Sequence, residues 1–106
     1  MARMPTSQFA NGEVLIAADD SCVDVFHRMY DRGFRAPLAW FGVKTKTKRD
    51  EVDVSFGFAA DPAGPAYAEG LELGNFLMSF TLPLAEEPQL RALFTELAAR
   101  AGRTAQ

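Results

Sequence analysis

The chain reads as an α+β two-layer sandwich: a mainly antiparallel four-stranded sheet with two helices on one face, in the order β-α-β-β-β-α. Three observations predict this class. Val52, Val54, Phe56 and Phe58 alternate with Glu51, Asp53, Ser55 and Gly57, the period of a strand that buries one face. Phe76, Met78, Phe80 and Leu82 repeat that period in the second apolar run, Leu71 to Leu84, beyond a Pro/Gly-rich stretch. Two further segments carry apolar residues at i, i+3, i+4 and i+7, the spacing of an amphipathic helix. Two helices with one apolar stripe each and a meander with one apolar face are all satisfied when both helices cover the same side of the sheet, leaving the other side open.

Residues 1–11 read as a flexible N-terminal arm, residues 12–102 as a single domain and residues 103–106 as a tail. The stretch from Met1 to Gln8 is polar, contains Pro5 and has no periodicity. Strand one is Val14 to Ala18, too short for a helix and ended by the turn-forming pair Asp19-Asp20. Ser21 followed by Asp24 resembles a capping box. The stripe Cys22, Val25, Phe26, Met29, stopped by Gly33, then predicts helix one over about residues 22–32.

Strand two starts just past Pro37 and runs through Leu38 to Val43 towards Lys44. The residues from Thr45 to Asp50 contain neither Gly nor Asn, so a loop longer than a two-residue primed turn is expected before strand three, Glu51 to Phe58. Residues 59–70 hold two prolines and two glycines and read as a surface loop, with at most one helical turn near Ala66 to Glu69. Strand four is Leu71 to Leu84. Pro88 suits a first helical turn, and Leu90, Leu93, Phe94 and Leu97 precede Gly102, so helix two spans about residues 86–101.

A chain of 106 residues is the size of one domain and buries roughly two-thirds of its unfolded surface. Nine Phe and one Trp supply a core that needs no disulfide or metal staple. The net charge of -3 gives no whole-protein attraction to nucleic acid or anionic lipid, so such a partner needs a local basic patch. Cys22 is the sole cysteine, which rules out an intramolecular disulfide and makes a cysteine-based zinc site within one chain very improbable. No run approaches the ~20 apolar residues of a membrane helix. A reducing, cytoplasmic location is expected.

Two features point to a contact surface. On strand four, Leu73 and Leu77 lie off the buried face and, with Trp40 or Phe41 of strand two, are candidates for an apolar patch that meets a protein partner or a second copy of the chain. Lys44, Lys46 and Lys48 alternate ahead of Arg49, forming a cationic comb suited to phosphates or to an acidic protein surface. Tyr67, alone in the Pro/Gly loop, is a candidate aromatic anchor. The blander readings are a central strand capped by the arm or loop, a solvated turn whose lysines prevent edge association, and a tyrosine packed on its own domain.

Chemistry has weaker support. His27, the only histidine, would stand on helix one between Asp24 and Asp31, an arrangement more typical of an exposed ion cluster than of a site. Cys22 would sit about 140° around the same helix from His27, against a local dyad. Glu13, Asp19 and Asp20 flank a strand end, where turn formation and helix capping explain carboxylates more cheaply than a divalent ion. The chain has no Gly-rich phosphate loop, nucleophile elbow, metalloprotease histidine pair or calcium loop.

No catalytic set, cofactor or metal is therefore expected. The function expected is that of a small non-enzymatic protein-protein interaction domain: an inhibitor, immunity or anti-defence factor, or adaptor, acting by surface occlusion or assembly. Its partner-binding residues would be Trp40, Lys44, Lys46, Lys48, Arg49, Tyr67, Leu73 and Leu77. The expected partner is a protein, with a homodimer as one form of assembly. The alternative is a nucleic-acid-binding module using residues 44–49. A membrane partner is not expected.

Overall fold

The alternating strand around Val54 lies at the centre of the second of two four-stranded sheets. In a computed structural model that describes residues 7–104, the order is β1 (Ser7–Ala10), β2 (Val14–Ala18), β3 (Cys22–His27), β4 (Phe34–Pro37), β5 (Phe41–Lys48), β6 (Glu51–Ala59), β7 (Tyr67–Glu69) and β8 (Leu73–Pro83). A 3-10 turn, Leu84–Glu86, then leads into α1 (Glu87–Arg100). The first sheet is the antiparallel meander β1-β2-β3-β4. The second has the order β7-β5-β6-β8, antiparallel except that β7 runs parallel to β5. The class is α+β, built mostly of strands with one C-terminal helix.

One core joins both sheets and the helix. It draws Phe9, Ile16, Val23 and Val25 from the first sheet, Phe41, Val43, Val54, Phe56, Met78 and Phe80 from the second, and Leu90, Phe94 and Leu97 from α1. Full burial of each such side chain is worth about 1.5–3 kcal/mol against exposure. The helix lies on the side where β1 and β7 are edge strands. Tyr67 of β7 bonds Glu87 at its start, and Ser7 of β1 bonds Glu96 and Arg100 near its end. On the other side, the Tyr30 hydroxyl donates to the Ser79 carbonyl of β8 and the His27 ring stacks on Phe80.

The expected first helix is a strand instead. Of its proposed stripe only Val25 is buried, whereas Val23 and Val25, both 0% exposed, face the core at a period of two. Two β-branched residues in alternation favour the pleated conformation. Asp19 also accepts from the Ser21 and Cys22 amides, so Ser21 and Asp19 build a hairpin turn between β2 and β3 and no capping box forms. With that helix gone, the single four-stranded sheet carrying two helices on one face is replaced by two sheets that share a core.

Four local expectations also change. Of the expected arm, residues 1–6 lie outside the described residues, while residues 7–10 form β1 and bury Phe9. The β5–β6 connection is a two-residue turn, since Lys48 pairs with Glu51, and Arg49 takes the positive φ of 46° that a glycine normally supplies. Residues 67–69 form a strand: the loop after Pro65 returns alongside β5, so Tyr67 pairs with Val43. Arg103 is held, its guanidinium donating to the Leu38 and Pro62 carbonyls and lying 5.0 Å from the centre of the Phe41 ring.

Other expectations match the structure closely. Val14–Ala18 is a strand, Glu51–Ala59 buries Val52, Val54 and Phe56, and α1 closes with Gly102 at φ 70°. There the Gly102 and Arg103 amides donate back to the Ala99 and Ala98 carbonyls, the double bond of a Schellman cap.

Candidate functional site: the open face of the second sheet and a polar cavity beside it

The register of the second sheet sets three rows across its outer face: Lys44–Ser55–Ser79, Lys46–Asp53–Thr81 and Lys48–Glu51–Pro83. Because side chains alternate, the three lysines share this face while Phe41, Val43 and Thr45 turn inward. The comb is partly neutralised. Lys48 lies 2.7 Å from Asp53, which also accepts from Thr81, and the Lys48 ammonium followed by the Thr81 hydroxyl holds the Asp53 carboxyl below its ordinary range. Lys44 faces Ser55 and has no carboxylate across the strand pair. Arg49 sits at the hairpin tip beyond the last row.

Next to Lys44 the face becomes apolar. Gly70, at φ 73°, turns the chain out of β7, and the connector to β8 borders a depression of about 400 Å³ lined by Lys44, Ser55, Gly70, Leu71, Glu72, Leu73 and Phe76. Leu73 packs over Gly42, where an added Cβ would come within 2.9 Å of its Cδ2. Trp40 is 55% exposed, and its carbonyl accepts from Ala59, the residue paired with Leu73.

Phe76 was expected on the buried face with Met78, Phe80 and Leu82, yet it is 57% exposed. An irregularity in the β6–β8 ladder explains the inversion. Met78 pairs with Phe56 and Phe76 with Gly57, leaving Leu77 as the extra residue of a bulge. Beyond it the alternation changes sides. Phe76 moves outward, and Leu77 is half-buried against the core. Gly57 is required here, since an added Cβ would lie 2.0 Å from the Asn75 carbonyl oxygen. Phe41, the alternative to Trp40 in the expected patch, is fully buried.

Tyr67 is also not a presented anchor. It is 2% exposed, stacks on Phe94 with ring centres 5.8 Å apart, and donates a 2.6 Å hydrogen bond to Glu87. Burial, reinforced by that bond, pushes its hydroxyl pKa far up, so it stays a neutral donor. Glu87 accepts in addition from Nε and Nη2 on one edge of the Arg91 guanidinium, one turn along α1, and Arg91 is the first cause of its lowered pKa. This cluster closes one end of a second cavity, of about 340 Å³, whose other walls include Thr45, Thr47, Val52 and Glu69.

The polar residues near His27 do not assemble. Asp24 faces outward and pairs with Arg35 at 2.8 Å, while the His27 Nδ1 accepts from the Met29 amide. Cys22 is half-buried, and Asp19 is spent on its turn, the Ser21 and Cys22 amides holding its carboxyl below the usual range. Among the described residues no group of three or more His, Cys, Asp and Glu side chains is placed to hold a metal ion, and no helix is long and apolar enough to cross a membrane.

The Glu87–Arg91 pair was visible in sequence as an i,i+4 spacing of opposite charges. The approach of Thr45 to Glu69 had no sequence signal, because it depends on parallel pairing across a long loop. Comparison of the chain with protein-family models, with curated proteins and with solved structures finds no match.

Proposed function

We propose that the protein is a non-enzymatic interaction domain that binds an acidic segment of a partner protein on the outer face of β5, β6 and β8. The observation that carries this reading is the depression flanked by Lys44, where a cation in no ion pair among the described residues borders apolar wall from Leu73 and the exposed Phe76, with Glu72 as the one carboxylate in the lining. An apolar side chain fits the depression, and a neighbouring Asp or Glu is attracted to Lys44 and Lys46. Trp40 extends the apolar side. Buried aromatic contact supplies most of the affinity in such interfaces, while charge supplies orientation and encounter rate. Inhibition, immunity and adaptor roles all use a surface of this kind.

A protein segment is favoured over nucleic acid for a local reason. Asp53 occupies Lys48 in the middle of the comb, and Glu51 lies in the same row. A phosphate backbone tracking along β5 would meet both carboxylates.

Display selection of random peptides on the folded protein tests the reading. Enriched peptides are expected to place an aromatic or branched residue beside Asp or Glu, to bind more weakly as salt rises, and to lose binding to Lys44→Glu and Phe76→Asp. Enrichment without acidic residues, or equal binding to both variants, overturns it. Tighter binding of a single-stranded oligonucleotide than of any selected peptide would favour the nucleic-acid reading.

A further inference from the structure

The cavity between β5, β7 and the start of α1 lies apart from the outer face, and its hydrogen-bonding capacity is unbalanced. Both oxygens of Glu87 are already engaged, one by Arg91 and the other by Tyr67 and Arg91. Glu69 uses one oxygen to accept from the Thr47 amide at 3.1 Å, which leaves the other free of protein donors among the described residues. Thr45 lines the same space and is only 7% exposed, and its hydroxyl has no hydrogen-bond partner among the described residues. That hydroxyl opens onto the cavity and is not sealed in the core, since the buried side-chain atoms without a partner among the described residues are Arg100 Nε and Arg103 Nη2. Thr47 and Glu69 are themselves exposed, so all three offer hydrogen-bonding capacity to whatever enters the cavity.

The strand register gathers these acceptors. Thr45 pairs directly with Glu69 across the parallel β5–β7 ladder, and Thr47 follows two residues later on the same face of β5. Three oxygens, one of them from a carboxylate, thus line a space with Val52 in its wall. Two carboxylates, Glu69 and Glu87, stand against one guanidinium, Arg91, leaving one net negative charge. The missing complement is a cation with several N–H donors and a short apolar stem. An ammonium group carries three donors.

We propose that this cavity binds a primary alkylammonium group, with the ammonium between Glu69, Thr45 and Thr47 and the methylenes beside the half-buried Ala68. The group belongs either to a free aliphatic amine or to a lysine side chain, chemistry the two sources share.

Titration of the ¹⁵N-labelled protein with n-butylammonium chloride tests the assignment. The amide signals of Thr45, Thr47 and Glu69 are expected to shift and saturate, whereas sodium butyrate at the same ionic strength leaves them in place. Glu69→Gln keeps an acceptor for the Thr47 amide and should weaken binding about tenfold, the scale of one charge-assisted hydrogen bond. Thr45→Val, nearly isosteric, is an independent variant expected to weaken it about threefold to tenfold. Nα-acetyl-lysine methylamide forms the second arm: binding tighter than butylammonium identifies a lysine side chain, and weaker binding a free amine. Absence of saturation, equal binding of butyrate, or full affinity in both variants overturns the proposal.

Discussion

The Tyr67 hydroxyl donates to the Glu87 carboxylate across 2.6 Å, joining a three-residue strand to the first turn of the only α-helix among the described residues. The two residues are 20 positions apart. Their bond sits at the wall of the polar cavity and fixes where α1 begins relative to β5, β6 and β7. Arg91 supplies the balancing charge, so the carboxylate is held by a neutral donor on one side and a cation on the other.

This arrangement makes stability depend on acid. The folded-state pKa of Glu87 is depressed below its ordinary value of 4.5, first by Arg91 and further by Tyr67. Its contribution is therefore fully present above pH 4.5 and is lost as pH falls through the folded-state pKa. Urea unfolding of the wild type and of Glu87→Gln, each at about pH 7 and about pH 3, should show a smaller loss of stability on acidification in the variant. Other carboxylates held below their ordinary range, such as Asp19 and Asp53, titrate in both proteins and cancel in the comparison. Tyr67→Phe should cost about 1–2 kcal/mol at neutral pH, because Glu87 loses a buried donor.

A pair of substitutions separates the strand at residues 22–27 from the helix that spacing alone suggests. In a helix with the stripe Cys22, Val25, Phe26 and Met29, Met29 would be core and Val23 would flank it. Here Val23 is 0% exposed and Met29 is 79% exposed. Val23→Asp buries an unpaired charge and should cost about 3–5 kcal/mol or abolish folding. Met29→Asp should change stability by no more than about 0.5 kcal/mol. Thermal melts of the two variants decide it, and the reverse order would restore the helix.

The turn between β5 and β6 stores conformational strain at Arg49. A left-handed backbone costs a side-chain-bearing residue about 1–2 kcal/mol, and glycine avoids that while giving back about 0.4–1 kcal/mol through the unfolded chain. Arg49→Gly is therefore expected to stabilise the protein by about 0.5–1 kcal/mol in denaturant titration. Gly102, at φ 70° with nothing within 4 Å of an added Cβ, is the mirror experiment. Gly102→Ala should destabilise by a similar amount, with no steric clash to confuse the result.

How much of the site was legible follows from particular residues. The alternation in Glu51 to Phe58 and the heptad-like spacing in α1 were readable because each element's own pattern reports which of its faces is buried. Lys44, Lys46 and Lys48 share an outward face for the same reason. Phe76 and Leu77 were misplaced because a bulge reverses alternation partway along β8, and one-dimensional periodicity carries no mark of where an extra residue enters a ladder. Tyr67 was misplaced because its neighbours are Ala, Pro and Gly, while the reasons for its burial, Phe94 and Glu87, lie far along the chain.

The sequence by itself determined that this is a single-domain-sized chain with a half-buried strand at its centre, a C-terminal amphipathic helix and no cysteine pair or familiar catalytic motif. Those are properties of local spacing and composition. Only the tertiary structure decided that residues 22–27 form a strand, that two sheets replace one, and that Thr45 meets Glu69. The segment from Cys22 to Met29 satisfies helical and extended periods at once, and which wins depends on the free energy of packing Val23 and Val25 against partners the segment does not contain. Parallel pairing of β7 with β5 is likewise a long-range choice. The polar cavity exists because that pairing brings acceptors together from strands that no local pattern connects.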